Sequence, residues 1–243
     1  SSLLLAVSEK GVEEYRNFMK ELPEKKFRIV HPIFDLLEFN KLPKKGFFRK
    51  QEHISSRTNI LIFVGRLHPI KGLEFLIKSF GKFKRNSPDS LLYLVGDTKD
   101  NAYKNKLISL IDENNLNRSV KFTGFLSGND KLAALVDSAI LIQSSMHEQG
   151  ARVPFDAILC GTPVIVTKDT GSGEMVNKYD AGELVDFNDI SQLSRKMHYV
   201  INNKKISNKK IKNAARRIRK EMNINNVSII YKDLYGSIVK STH

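Results

Sequence analysis

Acidic residues are scarce, cysteine is almost absent and no long apolar run occurs in this 243-residue chain. With 26 Asp and Glu against 40 Lys and Arg, the formal charge is +14, which points to anionic partners. The single thiol, Cys160, excludes an intrachain disulfide and a thiolate metal cluster, and suits a reducing cytoplasm. No stretch reaches the roughly 18 apolar residues of a membrane span. The apolar opening, 1–7, lacks the basic start and cleavage pattern of a signal peptide. Asp-x-Asp pairs are missing as well, so no divalent-metal clamp on a phosphate ligand is indicated and no cofactor is expected.

Much of the positive excess lies between Ile201 and Lys220, which holds nine Lys or Arg and no acid. The second half of that segment reads as helical, with Ile211, Ala214, Ala215 and Ile218 as an inner stripe. Its cations are then an outer face, either simply solvated or a patch for an anionic membrane surface. That face carries no interleaved aromatics, which argues against nucleic acid.

From Asn59 onward, short apolar runs alternate with amphipathic ones. Ile60 to Val64, Leu91 to Val95, Val120 to Phe122, Ile140 to Gln143, Pro163 to Val166 and Glu183 to Val185 read as strands. Most are continuously apolar, as parallel strands covered on both faces are. Between them, Leu73, Leu76, Ile77, Phe80 and Phe83 recur at helical spacing, as do Tyr103, Leu107, Leu110 and Ile111, then Leu132, Leu135 and Val136. The pattern predicts right-handed βαβ units and an α/β, doubly wound parallel sheet of Rossmann-like type. A helix from about Arg152 ends at Gly161-Thr162-Pro163, and Asn188 or Asp189 caps another.

The opening is different. Leu3 to Val7 reads as a strand, Ser8 as an N-cap, Val12 to Leu22 as a helix and Phe27 to Val30 as a strand, followed by a turn from Pro32 to Asp35. Such a unit cannot bury a core alone. It predicts a partial N-terminal domain remnant over 1–39, a Lys-rich linker over 40–58 and the Rossmann-like domain over 59–222. The remaining residues, 223–243, predict a C-terminal helix with Val227, Ile230, Tyr231, Leu234 and Ile238 on one stripe.

Arg66 and Lys71 fall on a loop between a strand and a helix, at the strand's carboxyl end, where doubly wound sheets bind ligands. A guanidinium fork and a compact ammonium together suit a diphosphate, although a solvated turn carries such residues too. Glu148 follows a later strand, and Asp156 lies about one turn into the next helix. Carboxylates accept hydrogen bonds from vicinal sugar hydroxyls, and the amides near Gly150 to Val153 open a helix toward an anion. Taken singly, Glu148 is an exposed acid and Asp156 a carboxylate complementing a helix dipole. Together the four suit a ligand with a central diphosphate and hydroxyls at both ends, the shape of a nucleotide sugar. His147 beside Glu148 is not read as catalytic, and Gly171-Ser172-Gly173-Glu174 reads as a tight strand-to-helix turn.

These residues resemble the GT-B glycosyltransferases, specifically the C-terminal donor-binding half of the retaining family four, also called glycosyltransferase group 1. The resemblance rests on Gly65-Arg66-Leu67 with Lys71-Gly72, Val95-Gly96-Asp97, Phe122-Thr123-Gly124-Phe125 and Gly161-Thr162-Pro163-Val164-Ile165-Val166. The family's two glutamates with seven residues between them map onto Glu148 and Asp156, and Val30-His31-Pro32-Ile33-Phe34-Asp35 is similar to its interdomain segment. The resemblance implies that Arg66 and Lys71 hold the donor diphosphate, that Glu148 contacts the transferred sugar and that Asp156 contacts the ribose. It further implies backbone contacts from Gly150 and Ala151, base contacts near Leu126 and Lys131, and a C-terminal helix packed toward the N-terminal domain. Asp156 is one methylene shorter than the usual glutamate, Gln149-Gly150-Ala151 replaces the usual Gly-Phe-Gly, and Arg152 has no counterpart role.

The expected activity is therefore metal-independent transfer of a sugar from a nucleotide donor with retention, to a lipid-linked or polysaccharide acceptor, in the cytoplasm or at the inner face of the membrane. The alternatives are a non-catalytic nucleotide-binding module and one chain of a split transferase that needs an N-terminal partner. An epimerase or phosphorylase on the same fold fits the Glu148 loop less well.

Overall fold

The computed structural model describes residues 3–21, 23–30, 35–150 and 152–240. The expectations placed on Leu22, on His31 to Phe34, on Ala151 and on the side chain of Ile238 lie outside the described residues. A small parallel pair opens the chain: β1 (Leu4–Ala6) and β2 (Phe27–Ile29), joined through α1 (Glu9–Phe18). Ser8 caps α1 as its sequence position suggests, its hydroxyl accepting from Gly11 N. The helix stops at Phe18, short of the expected Leu22.

The stretch 40–58 is not the patternless linker expected. It contains α2 (Phe47–Gln51), whose Phe48 is 3% exposed and meets Tyr93 edge-on with ring centroids 5.2 Å apart. Asp137, itself buried, accepts from Gly46 N at 2.5 Å and Arg49 N at 3.1 Å, satisfying donors at the helix start. Arg49 returns its guanidinium to the carbonyls of Ser55, Thr58 and Asp137. Five residues are too few to show a helical period, so tertiary contacts rather than local pattern hold this helix.

The main sheet has six parallel strands: β3 (Asn59–Val64), β4 (Ser90–Val95), β5 (Val120–Gly124), β6 (Ile140–Gln143), β7 (Val164–Thr167) and β8 (Gly182–Val185). Their order is β5-β4-β3-β6-β7-β8, the doubly wound α/β sheet that the apolar runs predict. Alternation along β3 explains why the run is apolar throughout. Ile60, Ile62 and Val64 enter one core and Leu61 and Phe63 the other. The second core is covered by α3 (Leu73–Lys84), α4 (Asn101–Glu113) and, after β8, α8 (Ile190–Asn202). The first is covered by α5 (Gly128–Asp137), α6 (Arg152–Leu159), α7 (Gly171–Tyr179) and α9 (Lys204–Glu221). The basic segment is helical in its first half as well as its second, broken only at Asn203 between α8 and α9, and buries Ile211, Ala214 and Ile218 as expected. In α10 (Ile224–Lys240), Val227 and Leu234 are buried, whereas Ile224, Ile230 and Tyr235 are exposed.

Removing the Phe48 ring takes a large side chain out of a closed core. Phe48→Ala is expected to destabilise the chain by about 3–5 kcal/mol in urea unfolding, as large-to-small core changes do. A change near zero would restore the linker description.

Candidate functional site

Strands β3 and β6 are neighbours, but the chain leaves them in opposite directions, β3 toward β4 and β6 toward β7. The loops after their carboxyl ends therefore diverge, which is where open α/β sheets form a crevice. The loop after β3 makes a short 3-10 turn over Pro69–Lys71, started by His68, whose Nδ1 accepts from Ile70 N at 3.3 Å. Gly72 then turns left-handed at φ 63°, and a Cβ there would lie 2.1 Å from the Ser144 carbonyl oxygen. No other residue fits both constraints. The glycine thus serves close passage of the two loops rather than access for a ligand. Met146 N donates to Ile70 O at 2.8 Å and Ser144 Oγ to Lys71 O at 2.9 Å, lacing the loops together.

This lacing aims Lys71 at Glu148. Their side chains form an ion pair, 17% and 16% exposed, bridging the two loops of the crevice. A second pair joins α6 to α5. Asp156 is 2% exposed in its side chain and accepts from Lys131 Nζ of α5 at 2.7 Å. Its other oxygen, Oδ1, is 3.5 Å from Arg152 Nε and accepts no hydrogen bond among the described residues. Arg152, unexplained by sequence, reaches Glu38 at 3.3 Å and so ties α6 to the segment before α2.

Arg66, Lys131, Arg152 and Asp156 line one cleft of about 740 Å³, together with Gly65 and Leu126. That volume is in the range of small-ligand and cofactor sites. Arg66 is exposed and has no ion-pair partner among the described residues, so its guanidinium is available to an anion. Phe125, 77% exposed, stands on the same lining and offers a free aromatic face. Asp97 is also there, at the end of β4, where the Val-Gly-Asp run placed it.

The four expected side chains do not converge on a single point. Arg66 and Asp156 share the cleft, whereas Lys71 and Glu148 pair with each other and are not on its lining. Gly150 packs on Val7, not on open space. Lys131, expected near a base, is the partner of Asp156. Cys160 follows α6 and is no nucleophile. Burial, and then the Asp156 carboxylate, push its thiol up to about 12. A second cleft of about 420 Å³ sits at the opposite, amino ends of the strands, lined by Gly46, Arg57, Asn59, Ala139 and Lys204.

The family model for glycosyl transferases group 1 matches residues 44–217. The chain belongs to that family. Among curated proteins, this group 1 chain is 27% identical over 199 residues to a putative glycosyltransferase, YtcC, of Bacillus subtilis, covering 79% of the chain and 48% of that protein. It is 22% identical over 240 residues to N-acetyl-alpha-D-glucosaminyl L-malate synthase of Bacillus anthracis, covering 99% and 61%. Among solved structures it superposes on Anabaena HepE, in complex with UDP and glucose, with TM-score 0.86 at 21% identity, covering 98% of the chain and 63% of HepE. The fold is that of GT-B transferases. The chain spans about half the length of the curated relatives it matches. Among the described residues no helix is long and apolar enough to cross a membrane.

Proposed function

We propose that this chain is the donor-binding half of a glycosyltransferase that moves a sugar from a nucleoside diphosphate to an acceptor. The observation that carries this reading is the Lys71–Glu148 pair at the sheet's switch point, together with a cleft lined by Arg66, Lys131 and Asp156. Arg66 would take one phosphate. The second would compete with Glu148 for Lys71, and that exchange would free the Glu148 carboxylate to accept hydroxyls of the donor sugar. Charge developing on the departing diphosphate would then rest on Arg66 and Lys71, the kind of stabilisation that dominates such reactions. Asp156 Oδ1, buried and accepting no hydrogen bond among the described residues, would have the capacity for a ribose hydroxyl. Leu126, Lys131 and the exposed Phe125 would flank the base, with the backbone of Gly150 and Ala151 on the sugar side. Retention at the anomeric carbon and a metal-free course belong to the same proposal, the first as the family resemblance implies it and the second supported by Arg66 and Lys71 as side-chain cations. Relatives named for glycosyl transfer and the HepE complex with UDP and glucose support the reading.

A lipid-linked or polysaccharide acceptor at an anionic membrane surface belongs to the same proposal. Lys205, Lys209, Lys212, Arg216 and Lys220 are exposed at three- and four-residue spacing along α9, and none forms an ion pair among the described residues. Each such cation near an anionic surface contributes about 1 kcal/mol. A cytoplasmic location, peripheral at the membrane, accords with it.

Calorimetric titration with UDP, GDP and their sugars tests the donor site. Arg66→Ala is expected to weaken nucleoside diphosphate binding about tenfold or more, the size of a lost charge-assisted contact. Glu148→Ala should leave the diphosphate bound and remove the preference for the sugar-bearing form. Variants that bind like wild type, or a wild type that binds no nucleotide, would contradict the assignment. Vesicles rich in phosphatidylglycerol should co-sediment the chain and phosphatidylcholine vesicles should not. Equal behaviour toward both, or no effect of combining Lys209→Gln, Lys212→Gln and Arg216→Gln, would remove the membrane part.

A further inference from the structure

The loop that carries Glu148 is gripped from outside at two consecutive carbonyls. Glu148 O accepts from Gly171 N at 2.6 Å, and Gln149 O accepts from Ser8 Oγ at 2.6 Å. Ser8 belongs to the β1–α1 unit, 141 positions away in sequence. The three segments meet without room for a methyl group. A Cβ on Gly171 would lie 1.9 Å from Gln149 O, and one on Gly150 would lie 2.4 Å from Val7 Cγ2. Gln149 adds a side-chain contact, donating from Nε2 to Glu14 Oε2 of α1 at 3.0 Å.

Glu174 holds Ser8 at that point. The first amides of any helix lack partners within the helix. In α1, Glu9 N and Lys10 N donate to the two oxygens of the Glu174 carboxylate at 2.9 and 2.6 Å, while Gly11 N donates to Ser8 Oγ at 3.0 Å. Glu174 lies in the first turn of α7, which has its own cap in Thr170, so the carboxylate is spent entirely on the other unit. Hydrogen bonds to an ionised acceptor are the strong kind.

We propose that Ser8 and Glu174 are positioning residues for the proposed donor site. Glu174 clamps the start of α1 onto α7, which seats Ser8 on the Gln149 carbonyl and fixes the Glu148 side chain opposite Lys71. Seating of the β1–α1 unit is thereby coupled to the sugar side of the site. The nucleotide side, with Arg66 and Lys131, makes none of these contacts. The inference rests on the sugar-side role assigned to Glu148.

The test uses the whole chain as wild type, Ser8→Ala, Glu174→Ala and Glu174→Gln, by amide hydrogen exchange and by calorimetry with UDP and UDP-glucose. Glu174→Ala should speed exchange of the Glu9, Lys10 and Gly171 amides while β3 and β4 stay protected, since local openings differ in free energy across a fold. Glu174→Gln, which keeps an acceptor oxygen, should restore part of the protection. The UDP-glucose to UDP affinity ratio should fall about tenfold in Ser8→Ala and Glu174→Ala, with UDP affinity itself kept. Unchanged Gly171 exchange in Glu174→Ala, or parallel loss of UDP and UDP-glucose, would overturn the clamp. If the wild type binds neither, the same ratio is measured with GDP and its sugars; if it binds none of them, the donor-site reading fails and Gly171 exchange alone decides the clamp.

Discussion

The ion pair between Lys71 and Glu148 is the constraint on which the crevice depends. Each charge is mostly withdrawn from water, so each requires the other, and a partly buried charge left single is costly. The pair is possible because the loops after β3 and β6 pass within backbone contact. That passage requires a left-handed glycine at 72 and the hydrogen bonds from Ser144 and Met146. In the proposed function, a phosphate would replace Glu148 as the partner of Lys71, and sugar hydroxyls would replace Lys71 as the partner of Glu148.

The second pair, Lys131 with Asp156, differs in character. Asp156 is almost fully enclosed by α5 and α6, and Arg152 adds a second cation at a longer distance. One oxygen accepts from Lys131, and the other accepts no hydrogen bond among the described residues. The shorter aspartate matters here. A glutamate would carry its carboxylate one methylene further from the helix, whereas the aspartate meets Lys131 at 2.7 Å. Arg152 continues the chain of charges to Glu38, so the cleft's edge includes the segment leading into α2.

The main sheet was legible because parallel strands buried on both faces must be apolar at every position, as Ile60 to Val64 are, and because the intervening helices show their inner stripes. The placement of Arg66, Lys71 and Glu148 on loops after strands, and of Asp156 in the helix that follows, was legible because it follows from topology. Their pairing was not. Whether Lys71 meets Glu148 or shares a phosphate with Arg66 depends on turns of a few residues that no periodicity encodes. Helix α2 was hidden for a similar reason. Its one buried ring, Phe48, and its capping carboxylate, Asp137, are about ninety positions apart, so nothing local marks them. Glu174 read as part of a glycine-rich turn because its partners are the amides of α1.

The most direct measurement is the map of backbone amide shifts in the isotope-labelled chain as UDP is added. The account predicts that Gly65, Arg66, Leu126 and Gly150 move together. Amides around the cleft at the amino ends of the strands, at Gly46, Arg57 and Lys204, should stay still. Shifts centred on that opposite cleft, or confined to α9, would place the ligand elsewhere and contradict the assignment.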